Sequence, residues 1–173
     1  MATLARSGPE YGDGKTFFAA NLAVAFAQLG GRTVLIDANM RTPRLHDVFN
    51  IDGQIGLSNV LAGRTKRQVV HRATGIPTLY IMSVGAVPPN PLELVQGMGF
   101  SLLIRELTEK FDYVLVDTPA VSQGADGRVI ASKCGAALAI ARRGKTRVAD
   151  MRELTRKLPK NNFRFAGIAV NER

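Results

Sequence analysis

Residues 7–16 restrict the fold more than any other part of the sequence, because they read Ser-Gly-Pro-Glu-Tyr-Gly-Asp-Gly-Lys-Thr between two segments of regular pattern. Residues 2–6 are predicted to be a strand and residues 16–29 a helix. A glycine-rich turn that joins a strand to a helix is typical of the phosphate-binding P-loop. Gly12 and Gly14 let successive backbone N–H groups line a concave anion site, and the positive end of the following helix adds to it.

Two side chains at the end of this stretch have the chemistry that phosphate and magnesium require. Lys15 would reach the β- and γ-phosphates as a positive charge, and the Thr16 hydroxyl would be a hard oxygen ligand for Mg²⁺. The stretch departs from the usual pattern at one point, since Pro9 occupies the position of the first glycine and Gly8 lies one residue upstream. Taken alone, the stretch also fits a glycine-rich surface turn before a helix.

The rest of the sequence alternates short apolar runs with helical patterns. Further strands are predicted at residues 33–37, 78–83, 113–117, 136–141 and 165–171. Further helices are predicted at residues 57–62, 66–70, 91–96, 100–111, 127–133 and 146–158, with a loop and a short helix within 38–50. This alternation predicts an α/β fold with a doubly wound, mostly parallel sheet and helices on both faces. Because the sequence has no internal repeat and no interdomain linker, we expect residues 1–173 to form a single P-loop domain.

Two of the predicted helices have apolar side chains at helical spacing, and these side chains are expected to face the core. In the first helix they are Phe17, Phe18, Leu22, Ala25 and Phe26. In the helix at residues 146–158 they are Val148, Met151, Leu154 and Leu158. The arginines of that second helix are then expected on its solvated face.

Two of the predicted strands end in an aspartate. Asp37 follows Val-Leu-Ile, and Asp117 follows Val-Leu-Val and opens the sequence Asp-Thr-Pro-Ala. Ligands of parallel α/β sheets lie at the carboxyl ends of the strands, so both carboxylates are expected beside the P-loop. An apolar strand that ends in Asp is the Walker B form, which orders Mg²⁺ and its waters, while Asp37 can bind Mg²⁺ through water or accept a proton from a nucleophile. Each aspartate alone also fits a turn or a helix cap. A strand that ends in Asp117, a Gly-Lys-Thr loop and the alternation of strands with helices together predict a nucleotide site.

Composition argues against several other classes of protein. The single cysteine, Cys134, cannot form an intramolecular disulfide, and His46 and His71 are too far apart in sequence to suggest a metal cluster. No Gly-x-Ser-x-Gly motif supports a serine nucleophile. No apolar run is long enough to span a membrane and no signal-peptide pattern is present, so a cytoplasmic location is expected. The formal net charge of +9 favours acidic partners, whether nucleic acid, anionic lipid or an acidic protein segment.

Together these motifs resemble the cytoplasmic catalytic domain of the bacterial tyrosine autokinases, which work with exopolysaccharide chain-length-determinant proteins. The resemblance is carried by residues 7–16, 34–46, 56–61, 88–94 and 111–119. Its specific parts are an Arg-x-Pro sequence that begins at Arg41 and a Pro-Pro-Asn-Pro sequence that begins at Pro88. The resemblance implies a P-loop kinase that transfers the γ-phosphate of ATP to protein tyrosine, with Mg²⁺, in the regulation of exopolysaccharide synthesis and export.

The resemblance also implies roles for individual residues and for a partner. The catalytic residues would be Lys15, Asp37 and Asp117, and the ligands of Mg²⁺ would be Thr16, Asp37 and Asp117. ATP would be bound by Gly12, Asp13, Gly14, Lys15, Thr16, Phe17 and Asn171. Asn171 matches an asparagine that faces adenine in related ATPases. The implied partner is the cytoplasmic part of a membrane chain-length-determinant or adaptor protein, which would hold the kinase at the inner face of the cell membrane, and self-association is a further expectation.

The sequence departs from this family in two respects. Asn39 occupies a position that is usually a second Asp, which removes a negative charge near Mg²⁺. The three tyrosines, Tyr11, Tyr80 and Tyr113, form no cluster of the kind that family members autophosphorylate. Three hypotheses stay open: a tyrosine kinase, a partition or cell-division ATPase, and an ATP-binding interaction subunit without kinase turnover. Glu10 stands where partition and division ATPases carry an extra lysine, which argues against that class, whereas the basic charge and DNA binding would argue for it. Nucleic acid is not the expected partner.

Overall fold

The computed structural model describes residues 2–7, 14–65, 69–157 and 164–172, and the strands within these ranges form one seven-stranded sheet. They are β1 (Ala2–Ser7), β2 (Thr33–Asp37), β3 (His71–Arg72), β4 (Leu79–Met82), β5 (Tyr113–Asp117), β6 (Ala136–Arg142) and β7 (Arg164–Asn171). The strand order is β3-β4-β2-β5-β1-β6-β7, and only the pairing of β3 with β4 is antiparallel. The predicted mostly parallel sheet is therefore confirmed.

Helices cover both faces of this sheet. In the described ranges they are α1 (Lys15–Gln28), α2 (Leu45–Phe49), α3 (Leu57–Leu61), α4 (Pro91–Gln96), α5 (Met98–Lys110), α6 (Asp126–Lys133) and α7 (Val148–Lys157), with a short 3-10 helix at Val121–Gln123. On one face α1 packs over Leu35 and Leu115, and on the other α5, α6 and α7 pack over Val34 and Val114. Successive residues of a strand point to opposite faces, so β2 and β5 each contribute to both halves of the core. This arrangement confirms the doubly wound fold.

The helix α1 turns a different face toward the sheet from the one predicted. Its buried apolar side chains are Ala19, Ala20, Ala23 and Ala27. Small side chains let the helix backbone lie close to the strands, so the larger residues are displaced to its flanks. Phe17 is 70% exposed and Ala25 is exposed, while Leu22 and Phe26 are half-buried. The predicted core stripe is therefore wrong for Phe17 and Ala25.

The apolar residues of α7 are only partly in the core. Met151 and Leu154 are buried, as their spacing predicts. Val148 is 68% exposed, because it is the first residue of the helix and lies beyond the edge of the core, so its predicted burial is wrong. Leu158 lies outside the described residues.

The segment before β4 also differs from the prediction. Residues 66–68 of the predicted helix at 66–70 lie outside the described residues, and Val69 and Val70 are not helical. The two-residue strand β3 was not predicted, because two residues are too few to show a period. The remaining predicted elements agree with the structure to within two residues at each end. Within the described ranges, no helix has the length and hydropathy needed to cross a bilayer.

Candidate nucleotide-binding site

The candidate site lies where three neighbouring strands and the start of α1 meet. The strand β1 leads toward the P-loop, and β5 lies between β1 and β2 in the sheet. Asp117 at the end of β5 and Asp37 at the end of β2 are register partners, so the two carboxylates are neighbours at the carboxyl edge of the sheet. Two of the predicted loop residues, Gly12 and Asp13, lie outside the described residues.

The two residues that follow Gly14 connect the loop to the Walker B aspartate. α1 begins at Lys15, whose side chain is 8% exposed. Thr16 Oγ1 donates a hydrogen bond of 2.6 Å to Oδ2 of the buried Asp117. Across the described residues, no group of three or more His, Cys, Asp or Glu side chains could hold a metal by itself. A hydroxyl and a carboxylate in contact nevertheless fit Mg²⁺, which in nucleotide complexes takes one or two carboxylates together with phosphate oxygens.

Asp37 is a fully buried carboxylate held by backbone donors. Its Oδ1 accepts a hydrogen bond of 3.1 Å from the N–H of Asn39, and its Oδ2 accepts bonds of 3.1 and 3.0 Å from the N–H groups of Arg44 and Leu45. Burial, followed by the negative charge of Asp117, raises the pKa of Asp37 to about 7, although the three N–H donors act in the opposite direction. A carboxylate with a pKa near neutrality can take up a proton or accept a cation at physiological pH.

The side chain of Asn39 is hydrogen-bonded within the loop that follows β2. Its Nδ2 donates hydrogen bonds of 3.0 Å to both the carbonyl oxygen and Oγ1 of Thr42, and its Oδ1 accepts one of 3.2 Å from the Thr42 N–H. An aspartate at this position would lack the two amide donors. The amide therefore stabilises the loop through two donors that a carboxylate lacks.

A cavity of about 480 Å³ opens beside these residues. Its described lining consists of Gly14, Lys15, Thr16, Phe17, Asn39, Thr42, Arg44, Val48, Ala120 and Gln123. Its volume lies within the usual range for small-molecule sites. The structure thus brings four predicted nucleotide-binding residues, Gly14 to Phe17, into one cavity. Asp37 and Asp117 are buried behind Asn39 and Thr16, to which they are hydrogen-bonded.

Asn171 reaches the P-loop from the edge strand β7. A Cβ atom at Gly14 would overlap the side-chain amide of Asn171, and the φ angle of Gly14 is 78°. The position therefore needs glycine both for its backbone conformation and for this contact. The carbonyl oxygen of Asn171 accepts a hydrogen bond of 2.8 Å from the Arg143 N–H, which fixes the end of β7. Asn171 borders the loop and is not among the described residues that line the cavity.

An ion pair that the sequence did not reveal ties the loop after β2 to α6. Arg41 Nε lies 2.7 Å from Oδ2 of the buried Asp126, and the Nη2 of the same guanidinium lies 3.3 Å from Oδ1. The hydrogen bond to Asp126 raises the pKa of Arg41. A Cβ atom at Gly124 would lie 2.9 Å from the same guanidinium, so this glycine leaves room for the pair. No local pattern marks two residues 85 positions apart as partners.

Comparison with known proteins agrees with a nucleotide site. The family model of the CobQ/CobB/MinD/ParA nucleotide binding domain matches residues 8–172. The tyrosine-protein kinase ptk of Acinetobacter johnsonii is 42% identical over 165 residues, which are 95% of this chain and 22% of that protein. The tyrosine-protein kinase CpsD of Streptococcus agalactiae is 31% identical over 170 residues, which are 98% of this chain and 74% of that protein. The chain thus spans about a fifth of the length of ptk and about three quarters of that of CpsD.

A solved structure of a similar protein has the same fold. The crystal structure of the VpsO kinase domain superposes with a TM-score of 0.92 at 29% sequence identity. The superposition covers 99% of this chain and 85% of that one. The described sheet and its helices therefore share the fold of that domain.

Proposed function

This chain belongs to the CobQ/CobB/MinD/ParA nucleotide-binding family and, within it, to the bacterial tyrosine kinases, and from that premise we propose that it is an ATP-dependent protein-tyrosine kinase. The observation that carries the proposal is the 2.6 Å hydrogen bond between Thr16 and Asp117, with the buried Asp37 beside it. A pair of oxygen ligands next to a carboxylate whose pKa lies near neutrality supports phosphoryl transfer to a hydroxyl group.

In the proposed reaction, the phenol oxygen of an acceptor tyrosine bonds to the γ-phosphorus of ATP while the bond to the bridging oxygen breaks and ADP leaves. Lys15 and the N–H groups at the start of α1 would hold the phosphates. Asp37 would accept the proton of the tyrosine hydroxyl. Thr16 and Asp117 would hold Mg²⁺, which supplies positive charge to the phosphate oxygens.

We further propose the cellular setting that the resemblance implies. The kinase would act as one P-loop domain at the cytoplasmic face of the membrane, held there by the cytoplasmic part of a chain-length-determinant or adaptor protein, and it would regulate exopolysaccharide synthesis and export. An excess of nine positive charges supports a partner with an acidic segment or an acidic membrane surface.

A second candidate function is ATP binding with little or no kinase turnover. The observation in its favour is Asn39, whose side chain is held by Thr42 and carries no charge toward the metal site. The two candidates differ in whether the γ-phosphate reaches a tyrosine.

The experiment that separates them is mass spectrometry of the purified chain after incubation with ATP and Mg²⁺, with and without a tyrosine-containing peptide. A kinase yields phosphotyrosine, and Lys15→Ala, which removes the main phosphate cation, abolishes it. Nucleotide binding without phosphotyrosine in the parent chain would instead support the second candidate, and release of ADP would then identify an ATPase.

A further inference from the structure

We propose that Arg41 is a positioning residue, which acts through Asp126 to hold together two loops that line the cavity beside the P-loop. These are the β2 loop, residues 38–44, and the β5 loop, residues 118–125. The inference rests on the proposed binding of a nucleotide in that cavity. Neither Arg41 nor Asp126 belongs to the described lining, so the pair acts on a nucleotide only through the residues that do.

The β2 loop is closed by hydrogen bonds between two lining residues. Asn39 and Thr42 both line the cavity, and three hydrogen bonds of 3.0 to 3.2 Å join them on either side of Arg41. The end of the loop is fastened to Asp37, whose Oδ2 accepts a bond of 3.0 Å from the Leu45 N–H. The backbone of Arg41 is thus fixed between two lining residues, and a displacement of Arg41 is passed to both.

The β5 loop has a similar construction. Its lining residues are Ala120 and Gln123, and two hydrogen bonds join them. The Gln123 N–H donates to the Ala120 carbonyl oxygen at 3.0 Å, and the Ala120 N–H donates to Gln123 Oε1 at 3.3 Å. Asp126 follows three residues later as the first residue of α6 and is 2% exposed. Its carboxylate therefore lies at a short and ordered distance along the chain from the two lining residues.

The ion pair of Arg41 with Asp126 connects the two loops. The guanidinium holds both carboxylate oxygens, with Nε at 2.7 Å from Oδ2 and Nη2 at 3.3 Å from Oδ1. Two parallel donors fix the direction of the contact as well as its distance, which the ammonium group of a lysine does not. The backbone bonds between β2 and β5 reach Ala38, whose N–H donates to the Asp117 carbonyl oxygen at 2.9 Å. Beyond that point the ion pair bridges the loops.

The two loops begin at the residues that are proposed to hold Mg²⁺. The β2 loop follows Asp37, and the β5 loop follows Asp117. A change in the position of the loops should therefore act most strongly on a nucleotide that is bound together with the metal. A general loss of stability would instead weaken the binding of ADP equally with and without Mg²⁺.

The test measures the Kd for ADP by calorimetry, with Mg²⁺ and with EDTA, in the parent chain, in Arg41→Lys and in the double variant Arg41→Met with Asp126→Asn. The double variant leaves no unpaired charge at the buried position of Asp126, so we expect it to fold. Its Kd with Mg²⁺ should rise about three- to thirtyfold, as for residues that act on a ligand without touching it, and its Kd with EDTA should rise less. Arg41→Lys keeps the charge but not the two parallel donors, so its effect should lie between.

The double variant Arg105→Met with Glu109→Gln is the matched control. Arg105 Nε lies 4.0 Å from Glu109 Oε1, both residues are exposed on α5, and neither belongs to the described lining. The control removes one ion pair without a change in net charge, as the test variant does, and should keep both Kd values within about twofold of the parent. The proposal is overturned if the test variant behaves like this control. A rise in Kd that is equal with Mg²⁺ and with EDTA would also overturn it.

Failure of the proposed function is distinguishable from failure of this inference. If the parent chain does not bind ADP, the proposed function is contradicted, and amide hydrogen exchange of the nucleotide-free chains decides the role of the ion pair. Faster exchange in both the β2 loop and the β5 loop of the test variant, with no change in the control, supports the pair as the connection between them. Parent rates in either loop would overturn it, because that loop would then be held without the pair.

Discussion

At the scale of single residues, Asp37 determines how the site responds to pH. Its pKa is raised to about 7, so in the absence of a cation it is largely protonated below that pH. A cation nearby favours the ionised form, so binding of ADP with Mg²⁺ should release a proton at pH 6 and release less at pH 8. Affinity should therefore rise with pH across this range, by up to about tenfold per unit below the pKa. Calorimetry in buffers of different ionisation enthalpy measures the proton directly.

The same carboxylate has a predictable effect on stability. Because its pKa in the folded chain lies above its unfolded value of 3.8, the folded state holds the proton more tightly. Its contribution to the free energy of unfolding is present below about pH 4 and is lost as the pH rises through 7.

The proton-release experiment needs a control, because ADP also titrates near neutrality. That control is Asp37→Asn, and equal proton release by parent and variant would contradict the assignment of the proton to Asp37.

A second prediction at this scale concerns Asn39→Asp. The substitution restores a carboxylate near the metal site but removes the amide donors to Thr42, which lie at 3.0 Å. We expect faster formation of phosphotyrosine and a stronger dependence on Mg²⁺, together with a loss of about 1–2 kcal/mol in the free energy of unfolding without metal. Kinase assays across a Mg²⁺ series and urea unfolding measure the two effects.

Thr42→Val is the matched control for that substitution. It removes the hydroxyl that accepts from Asn39 without adding a charge, so it loosens the same loop. If Thr42→Val raised turnover as much as Asn39→Asp, release of the loop rather than charge would explain the gain.

At the scale of elements, the alanine face of α1 determines how closely this helix approaches the sheet. Ala23 is fully buried, whereas Ala25 is exposed on the same helix. Ala23→Leu should lower the free energy of unfolding by about 1–3 kcal/mol through overpacking. Ala25→Leu should change it by less than about 0.5 kcal/mol. Urea unfolding of the two variants compares them, and equal effects would contradict the burial of Ala23 against the sheet.

For α1, the sequence predicts the boundaries of the helix but not the face that packs against the sheet. The boundaries of α1 were predictable, because a glycine turn and a change of period mark them. The face that α1 buries was not predictable. Large apolar residues dominate a hydrophobic pattern, whereas a close contact between helix and sheet selects small residues. The pair of Arg41 and Asp126 was equally hidden, since its partners belong to different elements that only the sheet topology brings together.

The positions of the two strand-ending aspartates, in contrast, were predictable from the sequence. Asp37 and Asp117 could be placed at the same edge of the sheet from the sequence, because parallel strands bring their carboxyl ends to one edge, whereas their direct register comes from the structure. The sequence did not predict the hydrogen bonds of Asn39 or the approach of Asn171 to Gly14, because both depend on loop geometry that residue spacing does not encode.

At the scale of the whole molecule, the site draws on three central strands, so nucleotide binding should stabilise the entire sheet. A ligand at 100 times its Kd adds about 2.7 kcal/mol to the free energy of unfolding. For a chain of 173 residues this corresponds to a rise of about 5–10 °C in Tm. Thermal unfolding with ADP and Mg²⁺ measures the shift, which EDTA should reduce and Lys15→Ala should abolish. A parent chain whose Tm did not move would argue against the site.

The position of β1 in the sheet has a consequence for biosynthesis. The strand β1 lies between β5 and β6, which are both translated after it, and Ala2 pairs with Tyr113 while Ala5 pairs with Ala137. Neither partner exists until most of the chain has been translated, which at ordinary rates takes several seconds or more. The strand β1 is thus translated well before the two strands that hold it in the sheet. A nucleotide site that uses Asp117 can therefore form only after β5 has been translated.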